Sequence, residues 1–309
     1  MPNLRQVREN LLIAYDAGIL EDEEFLVLYD INKSTNPDLP YRIYSKFELF
    51  SLSEDECTTE FRFNRNDIPR LVEVLQIPCQ ITCYNGIVCD GTEALCILLK
   101  RLAYPCRYLD MIPRFGRPVP QLSMIAQYMI NWVYEQWGHL LSNFTQDWLS
   151  QANLETFAET IHRNGAPLTN CWGFVDGTVR PVSRPNQHQR ILYNGHKRVH
   201  ALKFQSVVTP NGMIANMYGP VEGKRHDSGM LADSGLLNLL QQYSFDTNGN
   251  PLCIYGDPAY PLRVHLQMGF RGNNITAQQQ EWNKCMSEVK SQRRVYFWRY
   301  HQLFQVCRF

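Results

Sequence analysis

Apolar residues recur at helical spacing through the first half of the chain, and at a period of two or in short unbroken runs through the second. Residues 4–17 predict an amphipathic helix. An acidic break at Glu21 to Glu24 follows, then an irregular segment of Asn, Pro and Ser reaching about residue 55. From 61 to about 141 the spacing is helical again. Residues 67–75 carry apolar positions at helical intervals, and Asp90 stands as a capping residue before the apolar run 94–102. After a break at Tyr104-Pro105 come a short helix over 107–111, a turn over 112–118 and a strongly apolar helix over 119–137. Three short helices around a Gly/Pro turn suit a helix-turn-helix. Arg101, Arg107, Arg114 and Arg117 surround that turn, where they can meet DNA phosphates. A plain helical bundle with solvated arginines fits the same pattern equally well.

After Asn170 the short runs predict strands. Residues 171–175 form one, ending at Asp176-Gly177; 200–208 and 213–218 form a hairpin about the turn 209–212; 251–255 form a fourth, ending at Gly256-Asp257. Helices are expected over 228–242 and 276–296. The order β-β-β-α-β-α predicts an α/β (α+β) fold, a mixed sheet with flanking helices, preceded by the helical region. The expected division is an acidic N-terminal appendage (1–57), a helix-turn-helix-like region (58–165) and a sheet domain (166–309).

Composition narrows the classes. With 309 residues, 44% of them hydrophobic, the chain can bury a core of about two domains. No run of about 18 apolar residues occurs, so no transmembrane helix is expected. The polar first ten residues lack a signal-peptide core, so secretion is not expected. Ten cysteines sit mostly in apolar stretches and none forms a Cys-x2-Cys pair, which points to reduced thiols acting as small hydrophobes rather than to disulfides or structural zinc. The zero net charge conceals an asymmetry: residues 1–60 hold 5 basic and 13 acidic side chains, the remainder 25 and 17. Such a basic body is compatible with a phosphate backbone as partner. The Gly219–Lys224 stretch lacks phosphate-loop spacing, the histidines lack helical zinc spacing, and no Gly-x-Ser-x-Gly elbow is present.

The candidate chemistry lies in the acids. Asp176 and Asp257 each close an apolar strand, a position that leaves a carboxylate in the crevice at the strand ends. Two carboxylates there repel one another unless a divalent cation relieves them, and two carboxylates plus waters and phosphate suit Mg²⁺. Asp227 opens a helix, where it could join the site or simply cap the helix.

Five blocks carry a resemblance: Gly173-Phe-Val-Asp176-Gly-Thr, Leu192-Tyr-Asn-Gly-His-Lys-Arg198, His200-Ala-Leu-Lys-Phe-Gln-Ser-Val, Gly219-Pro-Val-Glu-Gly-Lys-Arg-His-Asp227-Ser and Tyr255-Gly-Asp257-Pro-Ala-Tyr-Pro261. With the upstream stretches 95–106 and 114–120, they resemble Harbinger-type DDE transposases in order and content over residues 58–309. The resemblance implies a ribonuclease-H-like fold and metal-dependent DNA strand cleavage. It implies Asp176 and Asp257 as ligands of Mg²⁺ or Mn²⁺, Asp227 as an accessory site and metal residue, and a helical region that binds double-stranded DNA at transposon ends. It also implies nuclear localisation and a separate Myb-like DNA-binding partner protein; a homo-oligomer is compatible with it.

The third acid of the resembled family, a glutamate on the last long helix, aligns here with Arg294, 37 positions after Asp257. Glu288 is turned about 120° away and lies about 9 Å along that helix, and Glu281 is about 140° off its face. Lys290 and Ser287 share the face of Arg294. A guanidinium there would neutralise the aspartates permanently. Two readings follow: a nuclease whose activity is weakened by Arg294 or rescued by Asp227, and an inactive DNA- or protein-binding module on the same scaffold. The family pattern also continues past the position of Phe309, so a shortened carboxy terminus is expected.

Overall fold

The computed structural model describes residues 4–32, 40–272 and 274–303, with the side chains of 4–6 and 292–303 outside the description. Helix α1 spans Leu4–Asp16 and α2 spans Asp22–Ile31. The acidic run expected to break the chain therefore starts a helix. Asp22, Glu23 and Glu24 occupy the first turn of α2, where negative charge meets the positive end of the helix dipole, and Glu24 accepts from the Glu21 N–H at 3.3 Å.

Helices α3 (Glu54–Phe61) and α4 (Asp67–Val74) lead into a short hairpin of β1 (Gln80–Thr82) and β2 (Val88–Asp90), which the helical spacing did not predict. Asp90 caps α5 (Gly91–Ala103) by accepting from the N–H groups of Thr92 and Glu93, as its position predicts. Helix α6 (Tyr108–Phe115) runs four residues further than expected, through Pro113. The burial of Ile112 and Phe115 outweighs the hydrogen bond that proline cannot make, and the carbonyl left without it belongs to the exposed Leu109. Gly116 then turns the chain in the left-handed region (φ 58°), and α7 covers Val119–Trp137, the span its apolar pattern predicts. One core runs from Leu49 to Met129 through these helices.

Helix α8 (Gln151–Arg163) packs on the sheet, with Leu154 and Ala158 against Trp172 and Val175. It lies before residue 166, where the sheet domain was expected to start. The sheet follows: β3 (Cys171–Pro181), the short α9 (Gln189–Leu192) and β4 (Tyr193–Asn194), then β5 (Val199–Val208) and β6 (Ile214–Glu222). Helices α10 (Asp227–Asp233) and α11 (Leu236–Tyr243) replace the single helix expected over 228–242, because Gly235 adopts φ 66° between them. Strands β7 (Cys253–Gly256) and β8 (Leu266–Met268) precede α12 (Ala277–Leu303). In space the strands run β6-β5-β3-β7-β8, with β4 also on β5. The first pairs are antiparallel; β3–β7 and β7–β8 are parallel. This curled mixed sheet with flanking helices is consistent with a ribonuclease-H-like fold, as expected. One face buries Val175, Val207 and Leu231; the other buries Phe174 and Tyr255 beneath Met286 and Val289 of α12. No helix among the described residues is long and apolar enough to cross a membrane.

Candidate active site

Asp176 does not end its strand. β3 runs on to Pro181, paired with β5 alone, because β7 stops at Gly256. The crevice at Asp176 thus comes from the neighbouring strand ending rather than from its own. Phe174 lies opposite Tyr255 in the parallel pair. Carried two residues on, that register would bring Asp176 towards Asp257, just past the end of β7. Asp257 folds back on its own turn: its carboxylate accepts from the Ala259 N–H at 3.1 Å, and its carbonyl accepts from the Tyr260 N–H at 3.1 Å.

Asp227 reaches β3 from the first turn of α10. The residue before it, His226, holds the capping position, and the Asp227 carboxylate accepts from Lys203 Nζ at 2.6 Å instead of capping the helix. A Cβ on Gly177 would stand 2.8 Å from that carboxylate, so the bare glycine gives Asp227 its place. Successive strand residues face opposite ways. Asp176 therefore looks towards α12 and Asp227 lies against the other face. On the α12 side Lys290 Nζ stands 3.3 Å from Asp176 and donates to the Val175 carbonyl at 3.4 Å. Both lysines are nearly buried, at 8% and 12% side-chain exposure for Lys203 and Lys290, so each ammonium is a lasting partner rather than a surface encounter.

Among the described residues no three His, Cys, Asp or Glu side chains form a ready-made metal cluster. Yet the negative charges of Asp227, Asp257 and Asp176 all act on one atom, the Tyr260 hydroxyl, which burial first and then these charges make harder to ionise. The two facts agree once the lysines are considered, since they draw Asp176 and Asp227 to opposite faces of β3. Two carboxylates brought near one another where β7 ends would suit a hydrated hard cation such as Mg²⁺.

Glu281 and Glu288 are exposed on α12, and Glu281 meets Lys284, so neither described glutamate of this helix turns to the aspartates. Arg294 lies on the same helix four residues past Lys290, with its side chain outside the described residues.

The arginines of the helical region have partners within the fold. Arg114 closes on Glu60 through two bonds of 3.0 and 2.7 Å and reaches Glu56 at 3.0 Å. Arg117 grips Glu93 at 2.6 and 2.8 Å and donates to Gln121. Arg101 donates to the Cys106 carbonyl at 2.6 Å beneath the Tyr108 ring. Arg107 is exposed. The nine described cysteines are free; burial pushes the Cys89 and Cys96 thiols up, so they stay protonated, as expected of small hydrophobes.

Residues 175–307 match the DDE superfamily endonuclease family. The match spans Asp176, Asp227, Asp257 and the position of Arg294, and it supports a DDE transposase-like relationship for this part of the chain. DDE endonuclease domains in general use divalent metals. No curated protein and no solved structure matches the chain.

Lys203, Gln205 and Tyr260 escaped the sequence reading. For the first two the signal was present: Ala201, Lys203, Gln205 and Val207 alternate along β5, and a lysine on the buried side of a strand calls for an acid. Nothing in the local sequence marks Tyr260, whose surroundings come from β3, β7 and α10.

Proposed function

We propose that the chain is a Harbinger-type, transposase-derived DNA endonuclease that depends on a divalent metal, with Asp176 and Asp257 holding Mg²⁺ or Mn²⁺ and Asp227 as accessory acid. The observation that carries this reading is the parallel pairing of Phe174 with Tyr255, which, continued two residues on, would bring Asp176 towards Asp257 where β7 ends. When bound there, the ion would supply the activation of water and the stabilisation of the leaving oxygen in phosphodiester hydrolysis. The protein's own part is to hold two carboxylates side by side, keep Asp227 against Gly177, and balance the charge with Lys203 and Lys290.

In this reading residues 166–309 with α8 form the nuclease domain, 58–165 meet double-stranded DNA at transposon ends, and 1–57 form an appendage. The protein acts in the nucleus with a Myb-like DNA-binding partner. Since Arg114 and Arg117 are held by glutamates, the exposed Arg107 is the member of the arginine set best placed to meet a phosphate.

A second reading, a DNA- or protein-binding module without catalysis, is favoured by the ammonium groups already on Asp176 and Asp227 and by Arg294 at the position of the third acid. Nicking of supercoiled DNA in Mn²⁺ separates the two. The nuclease reading expects nicking that disappears in Asp176→Ala and rises in Arg294→Glu. DNA binding without nicking in the natural chain and in Arg294→Glu alike sinks it and leaves the binding module.

A further inference from the structure

The 45 residues from Gly177 to Val221 hold six lysines and arginines and three histidines, and neither an aspartate nor a glutamate. Residues 61–309 carry a surplus of eight positive charges, 25 bases less 17 acids, and this stretch supplies six of the eight. It begins beside the candidate site and leads away from it. β3 runs past Asp176 to Pro181, and the chain then folds as α9 and β4 into an arm along the start of β5, with Tyr193 opposite His200 and Asn194 opposite Val199. The rise of the strand from Asp176 to Pro181 is about 17 Å, half a turn of duplex DNA.

The arm is pinned from beneath. Buried Asn194 donates from Nδ2 to the Gly223 carbonyl at 2.8 Å, and its Oδ1 accepts from the Lys197 N–H at 2.8 Å. The Lys224 N–H donates to the Ile191 carbonyl at 3.3 Å. A Cβ on Gly223 would run into the Leu192 carbonyl and stand 2.6 Å from that of Ala201, so glycine lets these segments meet. On this fixed base Arg190, Lys197, Arg198 and Lys224 are exposed. Arg198 is held at φ 54°, in the left-handed region that side chains avoid, and residues kept there cluster at ligand-binding sites. Arg225 nearby is already taken by Asp233. Among the described residues the four exposed cations enter no ion pair, in contrast with Arg114 and Arg117.

We propose that this arm is a phosphate-binding surface for the DNA that passes the acidic site, with Arg190, Lys197, Arg198 and Lys224 as its contacts. The proposal rests on the reading that the chain acts on DNA, and it places the main grip on the backbone in the sheet domain. Cations carried on a base that is fixed beforehand lose little freedom on binding. Each phosphate they neutralise releases condensed counterions, so affinity falls with salt by a logarithmic slope of about 0.9 per contact on duplex DNA. Such contacts carry no sequence information, which suits a surface that holds DNA of any sequence beside the carboxylates.

The test is binding of a labelled DNA duplex to the full chain, read by fluorescence anisotropy in EDTA over a range of salt, with nicking in Mn²⁺ scored separately. The triple variant Arg190→Gln, Lys197→Gln, Arg198→Gln should bind every duplex more weakly and lower the slope of log affinity against log salt by about 2–3. The changed side chains are exposed, so its unfolding temperature should stay that of the natural chain. Should it unfold, Lys197→Gln alone reads the same surface as a fall of about 0.9. Arg190→Lys with Arg198→Lys keeps the charges and should keep the slope. A triple variant with the natural slope overturns the proposal; if the natural chain then nicks and Asp176→Ala does not, the nuclease reading stands without it. A reduced slope with no nicking by the natural chain keeps the arm and removes catalysis. Natural DNA binding with a changed oligomeric mass in the triple variant assigns the arm to the acidic first sixty residues of a second copy, and also overturns the proposal. A natural chain that neither binds nor nicks DNA sinks both.

Discussion

In the helical body Lys100 and Arg114 close on Glu60 and Glu56, two cations to two anions, while Arg117 is matched to Glu93. In the sheet Lys203 and Lys290 face three aspartates. Both regions bury ammonium groups against carboxylates, but among the described ion pairs the first set closes on itself, whereas the second pairs Asp227 and Asp176 and includes no partner for Asp257. A balanced set has no electrostatic reason to take up anything further, and it ties α3, α5 and α6 together. A surplus of carboxylate around buried strand ends is an unfinished arrangement that one more cation completes. The contrast separates a structural network from a site without appeal to which residue types are present, since both use the same ones.

The largest expected effect tests the balanced side. Glu60→Ala removes the shared acceptor of Lys100 and Arg114 and leaves two nearby cations, one of them almost buried, without it. A destabilisation of about 3 kcal/mol is expected, measured by urea unfolding. A loss below about 1 kcal/mol would mean that the network contributes no more than surface pairs do.

A smaller and opposite effect is expected in the sheet. Lys290→Met removes an ammonium from beside Asp176. Because the remaining carboxylate can then be neutralised by an ion, Mn²⁺ affinity should rise about tenfold, read by water-proton relaxation. If affinity falls instead, Lys290 supports the bound state and the distinction drawn above is wrong for the α12 side.

The smallest effect is a pH dependence. Burial would raise the Glu60 carboxyl, but hydrogen bonds from Arg114 and Lys100 prevail and hold it below its ordinary 4.5. A carboxyl depressed in the folded state contributes stability at pH values above the unfolded value, and that contribution is lost as pH falls through the folded one. Melting temperatures of the natural chain should therefore drop below about pH 4.5 more steeply than those of Glu60→Gln. Parallel curves would remove Glu60 from the account.

Much of this was legible in the sequence where the cause is local. The bounds of α7, the cap at Asp90 and the strands leading to Asp176 and Asp257 follow from periodicity and capping chemistry confined to a few residues. What escaped depends on distant partners. Arg114 reads as a free DNA contact until Glu60, 54 positions away, is folded against it. Asp176 reads as a strand end until the pairing with β5 shows the strand continuing. The break at Gly235 lay in view, since a glycine inside a helical pattern marks a place where the chain can turn left-handed.

The pairing of Asp176 with Lys290 spans 114 positions of chain. At a synthesis rate of about 5–20 residues per second, β3 is made on the order of ten seconds before its lysine exists. During that interval the Lys290 contact is missing, and the sheet face that will receive α12 stays open. The same state recurs whenever the last helix lifts away in the mature protein, because local opening retraces the late steps of assembly at a lower free-energy cost than global unfolding. The contact between Lys290 and Asp176 is therefore made late, and the charge balance of this site depends on how firmly its final helix stays docked.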